Sequence, residues 1–583
     1  MQTQPTLSNA QLAQVLFELA DLLEIDRAPA YTLRAFRNAG RAIESLAEPA
    51  AALLERGTLT DVPGIGQGVA RRVGELLQTG ELAQLVELRK KFPRGLAEMM
   101  HIDGLGPKGA EQVHAALGIG TLDELEAAAK EGRLRGLPRF GERKEARVLA
   151  GIESYRKNAR RLTLTKAWPV AEQLLAQVAA LPGVVRAELC GSLRRRKETL
   201  GDLDVLVEAS DEHALAITHA FVTLPGVREV LGEGPTRASV KLHDGLQADL
   251  RVVPPASWGA ALHYFTGSKE HNIEMRRRAL ERGWKLSEYG VFDADGRSLG
   301  GREEAEVFAL LGLPEIPPEL REGRGELEAA LAGTLPKLLE PGELRGDLHS
   351  HTSETDGKST LEEMVAGAAA IGLEYLAITD HSQALSFANG LTPERLRLQG
   401  RQIAALNDRY GGKPRILRGI EADILADGSV DLGPEVLREL DWVVGSVHSL
   451  FRLSKQEQTE RVVRAIESGL IDVLGHPTGR LLGEREPYEI DLQAVFEAAR
   501  RTGTAVELNA FPQRLDLNDE NLRLAKQAGV SIVLSTDSHA VKHLGQTRHG
   551  VFTARRGWLT AADVVNTLPV HELLARFAHH HQR

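Results

Sequence analysis

Asp347-Leu348-His349-Ser350-His351, Leu376-Ala377-Ile378-Thr379-Asp380-His381 and Trp442-Val443-Val444-Gly445-Ser446-Val447-His448 share one pattern. A short apolar run of strand length stops at an imidazole or a carboxylate. Three more runs repeat it. Ile416 to Ile420 ends at Glu421, Ile471 to Gly475 at His476, and Ser531 to Thr536 at Asp537. Asp356 lies beyond the first run and His539 beyond the last. The set of candidate metal ligands is therefore His349, His351, Asp356, His381, Glu421, His448, His476, Asp537 and His539, with no thiolate. A seventh run, Ala505-Val506-Glu507-Leu508-Asn509, has no obvious ligand. Helical stretches alternate with the runs, which predicts a parallel α/β barrel-like domain. Such folds build active sites at strand ends.

Outward from this half, the bulk properties set bounds. A chain of 583 residues is expected to hold several domains. Its hydrophobic content of 42% is ordinary for a globular protein. The single Cys190 excludes an intrachain disulfide and any Cys-rich zinc motif. The start, Met1 to Thr6, has neither a basic nor an apolar leader region, and no stretch is apolar for long enough to span a bilayer. A cytoplasmic protein without a membrane partner is expected. The His579-His580-His581 run reads as a solvated tail. Net charge is −10, which taken globally argues mildly against nucleic acid. The sign is uneven, however. Arg156-Lys157-Asn158-Ala159-Arg160-Arg161, Arg194-Arg195-Arg196-Lys197 and Arg276-Arg277-Arg278 are basic clusters, and a local basic channel on an acidic chain still binds phosphate.

The first part reads as short helices broken by glycine turns, beginning with an amphipathic helix over Gln11 to Ile25. Val62-Pro63-Gly64-Ile65-Gly66 and Ile102-Asp103-Gly104-Leu105-Gly106 each lie between helical patterns, and Leu137-Pro138-Arg139-Phe140-Gly141 is a weaker echo. Gly64, Gly66, Gly104 and Gly106 permit a tight turn, and the helix start that follows offers free backbone N–H groups to a phosphate oxygen. These look like helix-hairpin-helix motifs that bind DNA. The alternative is plain packing turns, which two good copies and a third in a row disfavour. No strand precedes either good copy, so a dinucleotide fold does not fit.

The middle region turns to strand patterns. Gly201-Asp202-Leu203-Asp204-Val205-Leu206-Val207 is a strand on which Asp202 and Asp204 point the same way. Parallel carboxylates repel unless a cation lies between them. Downstream, Asp244-Gly245 signals a hairpin whose returning strand, Gln247 to Val253, can set Asp249 beside the pair. Three carboxylates on neighbouring strands suit two-metal phosphoryl transfer. Upstream, the turn from Gly191-Ser192 to Arg196 can offer a hydroxyl and guanidinium groups to triphosphate oxygens.

Here the chain closely resembles the family X DNA polymerases. Gly191-Ser192, Asp202-x-Asp204 and Asp249 match the family's palm, and Tyr264-Phe265-Thr266-Gly267-Ser268 with Asn272 to Arg276 matches its nucleotide-binding motif. The resemblance implies that Asp202, Asp204 and Asp249 are catalytic and bind Mg²⁺ or Mn²⁺. Asp249 would also help to activate a primer 3′-hydroxyl. Ser192 and Arg195 would contact the incoming triphosphate, and Tyr264, Phe265 and Gly267 would lie by the sugar. Asn272 and Arg276 would sit near the nascent base pair. In the polymerase-beta branch of the family, a lyase nucleophile, a lysine, stands in the helix after the first hairpin. Alignment on Pro63 to Gly66 puts Arg72 there, with Gly68 where a second lysine stands. A guanidinium stays protonated, so Schiff-base lyase activity is expected to be weak or absent.

The C-terminal region resembles a PHP (polymerase and histidinol phosphatase) domain, whose metal set the nine strand-end residues match. That implies a distorted seven-stranded barrel with two to three Mn²⁺, or Zn²⁺ or Fe²⁺, acting on phosphoesters. The expected fold class is multidomain: helical helix-hairpin-helix domains, an α+β nucleotidyltransferase palm and thumb, and a C-terminal α/β seven-stranded barrel. The expected order is a DNA-binding helical domain over 1–85, fingers over 86–158, palm over 159–255, thumb over 256–318, a linker over 319–343 and the PHP domain over 344–583. The implied function is short-gap filling in base-excision or end-joining repair, using gapped or primer-template DNA and dNTPs. A 3′–5′ exonuclease and an abasic-site endonuclease activity are implied for the barrel, and a monomer is expected. Two alternatives stay open. One is a phosphoesterase of small phosphates with a polymerase-inactive, DNA-binding N-terminal half. The other is a non-catalytic repair scaffold.

Overall fold

The computed structural model describes residues 9–581 except 27, 45–48, 63, 93, 101, 103 and 160. Pro63 and Asp103 of the glycine turns, Arg160, and the side chains of Arg156 to Ala159 therefore lie outside the described residues, as does the stretch Met1 to Thr6. The chain forms two compact units, Met1–Arg160 and Arg161–Arg583.

The first unit is helical, with one continuous apolar core that includes Leu12, Leu16, Leu19, Val73, Val113 and Val148. Its three turns close alike. Ile65, Leu105 and Phe140 are buried, and the backbone N–H of each donates at 3.0 Å to the carbonyl three residues earlier, on Val62, Ile102 and Leu137. The residue before each takes positive φ: Gly64 at 88°, Gly104 at 85° and Arg139 at 65°. The weaker echo is thus a third copy in backbone terms, with an arginine in the conformation that favours glycine. Helices follow each turn at Gln67–Thr79, Gly106–Leu117 and Glu142–Ala159.

The second unit opens with a five-stranded sheet in the order Arg186–Leu189, Asp202–Glu208, Gln247–Val253, Arg237–Leu242, Val227–Glu233. Asp202–Glu208 runs parallel to Gln247–Val253, and the other neighbours are antiparallel. The Asp244-Gly245 turn, with Gly245 at φ 89°, joins the last two strands of the chain order. A three-stranded sheet spans Lys285 to Gly300.

The seven apolar runs become seven parallel strands paired in chain order: Gly346–Asp347, Tyr375–Ile378, Arg415–Asp423, Trp442–Ser446, Val473–Leu474, Ala505–Asn509 and Ile532–Ser535. A parallel bridge between Ser350 and Ser538 nearly closes the ring, with the His351 N–H donating to the Ser538 carbonyl at 2.8 Å. Helices cover the outside, so the strands are buried on both faces and read as unbroken apolar runs. Alternation persists underneath: Tyr375, Ala377, Trp442 and Val444 fill one cluster, while Leu376 and Ile378 join another. Among the described residues no helix is long and apolar enough to cross a membrane.

Two expectations change. The stretch over 319–343 is packed rather than linker-like. Leu320, Leu327 and Leu338 enter one core, Leu339 enters the barrel core, and Arg321 is fully buried on Glu304. The terminal histidine run is not a solvated tail throughout. It ends the helix Val570–His581, and His580 is buried with Nδ1 2.7 Å from the Ile471 carbonyl. The apolar spacing of Leu573 and Phe577, both in the core, brings His580 to the same face.

Candidate functional site

The barrel gathers all nine strand-end residues into one connected cluster. Glu421, on the strand Arg415–Asp423, is its hub. Its carboxylate lies 2.8 Å from His381 Nδ1, 2.9 Å from His476 Nε2, 3.3 Å from His448 Nε2, 3.5 Å from His349 Nε2 and 3.6 Å from His351 Nε2. Asp537 Oδ1 reaches His351 Nε2 at 3.2 Å and His539 Nδ1 at 3.6 Å. Asp356 Oδ2 reaches His381 Nε2 at 3.3 Å and His539 Nε2 at 3.4 Å. Three overlapping subsets have ligand atoms within 4.8 Å of one another: His351, Asp356, His381 and His539; His349, His351 and Glu421; His381, Glu421 and His448.

The electrostatics follow from that mixing. Burial alone would raise the carboxyls, yet the surrounding imidazoles hold Glu421, Asp356 and Asp537 well below the usual carboxylate range. Burial likewise opposes charge on His349 and His381, but Glu507, Glu421 and Asp537 around the first, and Glu421 and Asp356 around the second, raise both well above the ordinary value. His351 is lowered by burial and by its cationic neighbours His539 and His381.

A divalent cation fits this donor set. Among the described residues His349 Nε2, both ring nitrogens of His351, Asp356 Oδ1, His381 Nδ1 and His476 Nδ1 are buried and make no well-directed hydrogen bond, although carboxylates stand close to most of them. Buried polar atoms without partners are rare and costly. Imidazole and carboxylate donors without thiolate suit Mn²⁺, Zn²⁺ or Fe²⁺.

Four supporting residues escaped the sequence reading. Glu507, on the strand that looked empty, holds His349 Nδ1 at 2.7 Å with one oxygen and accepts the His476 backbone N–H at 2.6 Å with the other. Asn509 bridges Glu507 and Asp537 at 3.2 and 3.1 Å. Asp423 Oδ1 lies 2.7 Å from His448 Nδ1, and Arg514 Nε lies 3.3 Å from Asp537 Oδ2. A faint signal was available for two of them: Glu507 and Asn509 are polar residues two apart in a run that is otherwise apolar and buried throughout. Asp380, part of a quoted run, stays out of the cluster. Its oxygens accept from Thr352 and Gln399.

The second centre lies in the five-stranded sheet. The parallel register sets Asp204 directly opposite Asp249, with Asp202 opposite Gln247. Gln247 Nε2 donates to Asp249 Oδ2 at 2.9 Å, and Ser239 Oγ also donates to Asp249. Burial raises Asp202 and pushes Asp204 up to about 7, and each carboxylate's neighbours add to the effect. The turn at Gly191 touches this group closely. A Cβ at Gly191, which has φ 59°, would fall 2.0 Å from Asp204 Oδ2, so only glycine admits the carboxylate.

A cavity of about 540 Å³ opens beside the pair, lined by Ser192, Arg195, Asp202, Asp204, Tyr264, Phe265, Gly267, Asn272 and Arg276. Every residue expected to meet a nucleotide thus lines this one cavity. The helix Lys269–Leu280 positions two of them: Asn272 Nδ2 donates to the Tyr264 carbonyl at 2.7 Å, and Arg276 Nε to the Asn272 carbonyl at 3.2 Å. Tyr264 and Phe265 meet edge to face with centroids 5.2 Å apart. The basic cluster 194–197 is largely engaged within the fold, while Arg195 and Lys197 also line the cavity. Arg194 pairs with Glu304 at 2.7 Å, Arg195 with Glu322 at 3.0 Å, and Arg196 lies over two neighbouring aromatic rings, Trp168 and Phe552.

In the first unit, the helices after Gly66 and at Gly106 begin without a side-chain cap among the described residues, which leaves their first N–H groups to outside acceptors. Arg72 lies in the first of these helices. Its guanidinium is engaged by Gln84 Oε1 at 3.0 and 3.2 Å and by the Gly68 carbonyl at 3.1 Å.

Comparison with known proteins finds relatives for both units. Family models match for a helix-hairpin-helix domain over residues 7–82, a SAM-like helix-hairpin-helix tandem over 96–154, the DNA polymerase beta thumb over 261–322 and a PHP domain over 347–510. The tandem covers the second and third turns. The DNA polymerase/3′-5′ exonuclease PolX of Bacillus subtilis is 36% identical over 97% of this chain and 98% of its own length. Probable phosphatases of Acetivibrio thermocellus and Shewanella sediminis are 33% and 34% identical over 34% of this chain, covering 81% and 80% of their own lengths.

Proposed function

The chain belongs to the family X DNA polymerases that carry a PHP domain, and from that membership we propose a gap-filling polymerase in the five-stranded sheet and a 3′–5′ exonuclease in the barrel. One observation carries the reading. The second unit holds two separate ligand sets of different make, so extension and degradation need not share a site.

In the polymerase site, Ser192 and Arg195 bind the triphosphate while Tyr264, Phe265 and Gly267 pack against the sugar. Asn272 and Arg276 line the base-pair side. Asp202, Asp204 and Asp249 would hold two cations, and Asp249, fixed by Ser239 and Gln247, would face the primer 3′-hydroxyl and take part in its deprotonation. In the barrel the nine ligands hold two to three cations, and Glu507 and Asp423 fix the rings of His349 and His448. Bound divalent cations supply an activated water and charge neutralisation at the phosphoester in the barrel, and neutralise the triphosphate in the sheet. We take Mg²⁺ or Mn²⁺ for the sheet and Mn²⁺ for the barrel. Gly64, Gly66, Gly104 and Gly106 present backbone N–H groups to DNA phosphates without reading sequence. Short-gap repair of DNA by a cytoplasmic monomer, with abasic-site incision as a second barrel reaction, completes the reading.

The test uses 5′-labelled primer on gapped DNA with Mn²⁺, with and without dNTPs. Asp249→Ala should lose extension and keep degradation, and His349→Ala should do the reverse. Loss of both activities in either variant, with the fold intact by circular dichroism, would show one shared site and end the proposal. Arg72 adds a negative expectation. Borohydride trapping on abasic-site DNA should give no efficient adduct, since a guanidinium held by Gln84 and Gly68 is no amine nucleophile. An efficient adduct lost in Arg72→Ala would contradict this.

A further inference from the structure

The turn from Ser192 to Glu198 faces the nucleotide cavity on one side, and the barrel grips it on the other at three of its residues. Arg556, at the end of the helix Thr547–Arg556, donates Nη1 to the Arg195 carbonyl at 2.6 Å. The Arg196 guanidinium lies 4.2 Å from the Trp168 ring centroid and 4.6 Å from that of Phe552, which is on the same helix as Arg556. Glu198 takes Arg480 Nη2 at 2.7 Å. The segment that leads to Asp202 is therefore shaped from outside its own sheet.

Arg556 does more than hold backbone. Its Nη1 also meets Glu322 Oε1 at 2.9 Å, the same oxygen that accepts Arg195 Nε at 3.0 Å. Its Nη2 donates to Asp519 Oδ2 at 2.6 Å, and Lys197 Nζ stands 3.6 Å from Glu322 Oε2. Arg556 is 4% exposed, and the Glu322 side chain 9%. One buried carboxylate is thus shared between a barrel arginine and the arginine that faces the triphosphate. Removing one cation from such a carboxylate leaves it to the other. Arg195 would then be held in its resting pair, and a triphosphate would have to compete for it.

We propose that Arg556, a residue of the barrel, is a positioning residue for nucleotide binding at the polymerase site, acting through the shared Glu322 and the Arg195 carbonyl. Asp519 fixes the other end of its fork, so the barrel is a structural part of the nucleotide site. The inference rests on the assignment of Arg195 to the triphosphate.

The experiment measures KM and kcat for dNTP on one-nucleotide-gapped DNA with Mn²⁺, using the full chain. Degradation of a 5′-labelled single strand reports barrel integrity. Arg195→Ala tests the underlying assignment, and should raise KM. Arg556→Gln should raise KM roughly fivefold, within the about 2- to 30-fold span of coupling through such networks, with kcat and degradation within about twofold. Adding Glu322→Gln to Arg556→Gln should bring KM back toward wild type, since the competing charge is gone. Arg556→Lys, which keeps the charge and loses the fork, should fall between. If Arg195→Ala leaves KM unchanged, the nucleotide-site reading fails. If Arg195→Ala raises KM while Arg556→Gln does not, only the present inference fails. A fall in kcat and degradation together in Arg556→Gln, with no relief from Glu322→Gln, would mark a merely structural residue and overturn it. Should Arg556→Gln not fold, a wild-type KM in Arg556→Lys would overturn it as well.

Discussion

The carboxylate sheet and the barrel cluster both hang ligands on strands, yet they carry charge in opposite ways. In the sheet, Asp202 and Asp204 face each other and Asp249 with no cationic ligand among them, and burial with mutual repulsion raises the first two. In the barrel, imidazoles alternate with carboxylates, and the buried Glu421 and Asp537 and the half-buried Asp356 stay ionised. A set of like charges calls for charge from outside it, whereas a mixed set is half neutralised by its own side chains.

The largest expected effect comes from removing the barrel's hub. Glu421 is within 3.6 Å of five imidazoles, and nothing in the carboxylate sheet depends on it. Glu421→Ala should cut degradation roughly a thousandfold or more, while gap filling stays within about twofold. Degradation above about a tenth of wild type would mean that the cluster does not act as a unit.

A smaller effect separates charge from shape. Glu507→Gln keeps the volume of a side chain that orients His349 and the His476 backbone. Residues that orient metal-binding histidines typically contribute about 10- to 100-fold in metal affinity or activity. Mn²⁺ titration of degradation should show that loss, with nucleotide KM unmoved. An unchanged titration would reduce Glu507 to packing.

Most of the barrel was legible in the sequence because parallel strands buried on both faces appear as apolar runs, and their ends as the residues that interrupt them. Glu507 was missed because it interrupts a strand in the middle, where its spacing from Asn509 is a faint signal and its partners, His349 and the His476 backbone, come from other strands. The Asp244-Gly245 turn made the register of Asp249 against Ser239 readable, since a tight hairpin fixes register, whereas the parallel pairing of Asp204 with Asp249 joins strands that the turn does not connect. The contacts of Arg194 to Glu198 were not readable. Their partners, Glu304, Glu322, Phe552 and Arg480, stand more than a hundred residues away, and a basic run in sequence says nothing of which guanidinium is neutralised in space. The 319–343 stretch misled for a related reason. Its charge and prolines suggest a linker, but Arg321 and Glu326 are buried because Glu304 and His271 receive them.

The smallest effect is in pH dependence, which has one sign at Asp204 in the sheet and both signs in the barrel. Asp204 in the folded, metal-free chain is raised to about 7 from 3.8, so it favours the protonated form and its contribution falls as pH rises through that window. Asp356 is lowered, so its contribution is present above 3.8 and is lost only as pH falls through its depressed folded value. His349 is raised, so its contribution is full below 6.5 and is lost as pH rises through a folded value well above that. Asp204→Asn removes the first of these and leaves the others. In chelator, its melting temperature should exceed wild type by roughly 2 °C or more at pH 8, with a smaller gap at pH 5. Adding Mn²⁺ at pH 8 should raise wild type toward the variant, because a cation between the carboxylates replaces the lost proton. An equal gap at both pH values would mean that the triad is not charge-frustrated, and the contrast between the two centres would reduce to geometry.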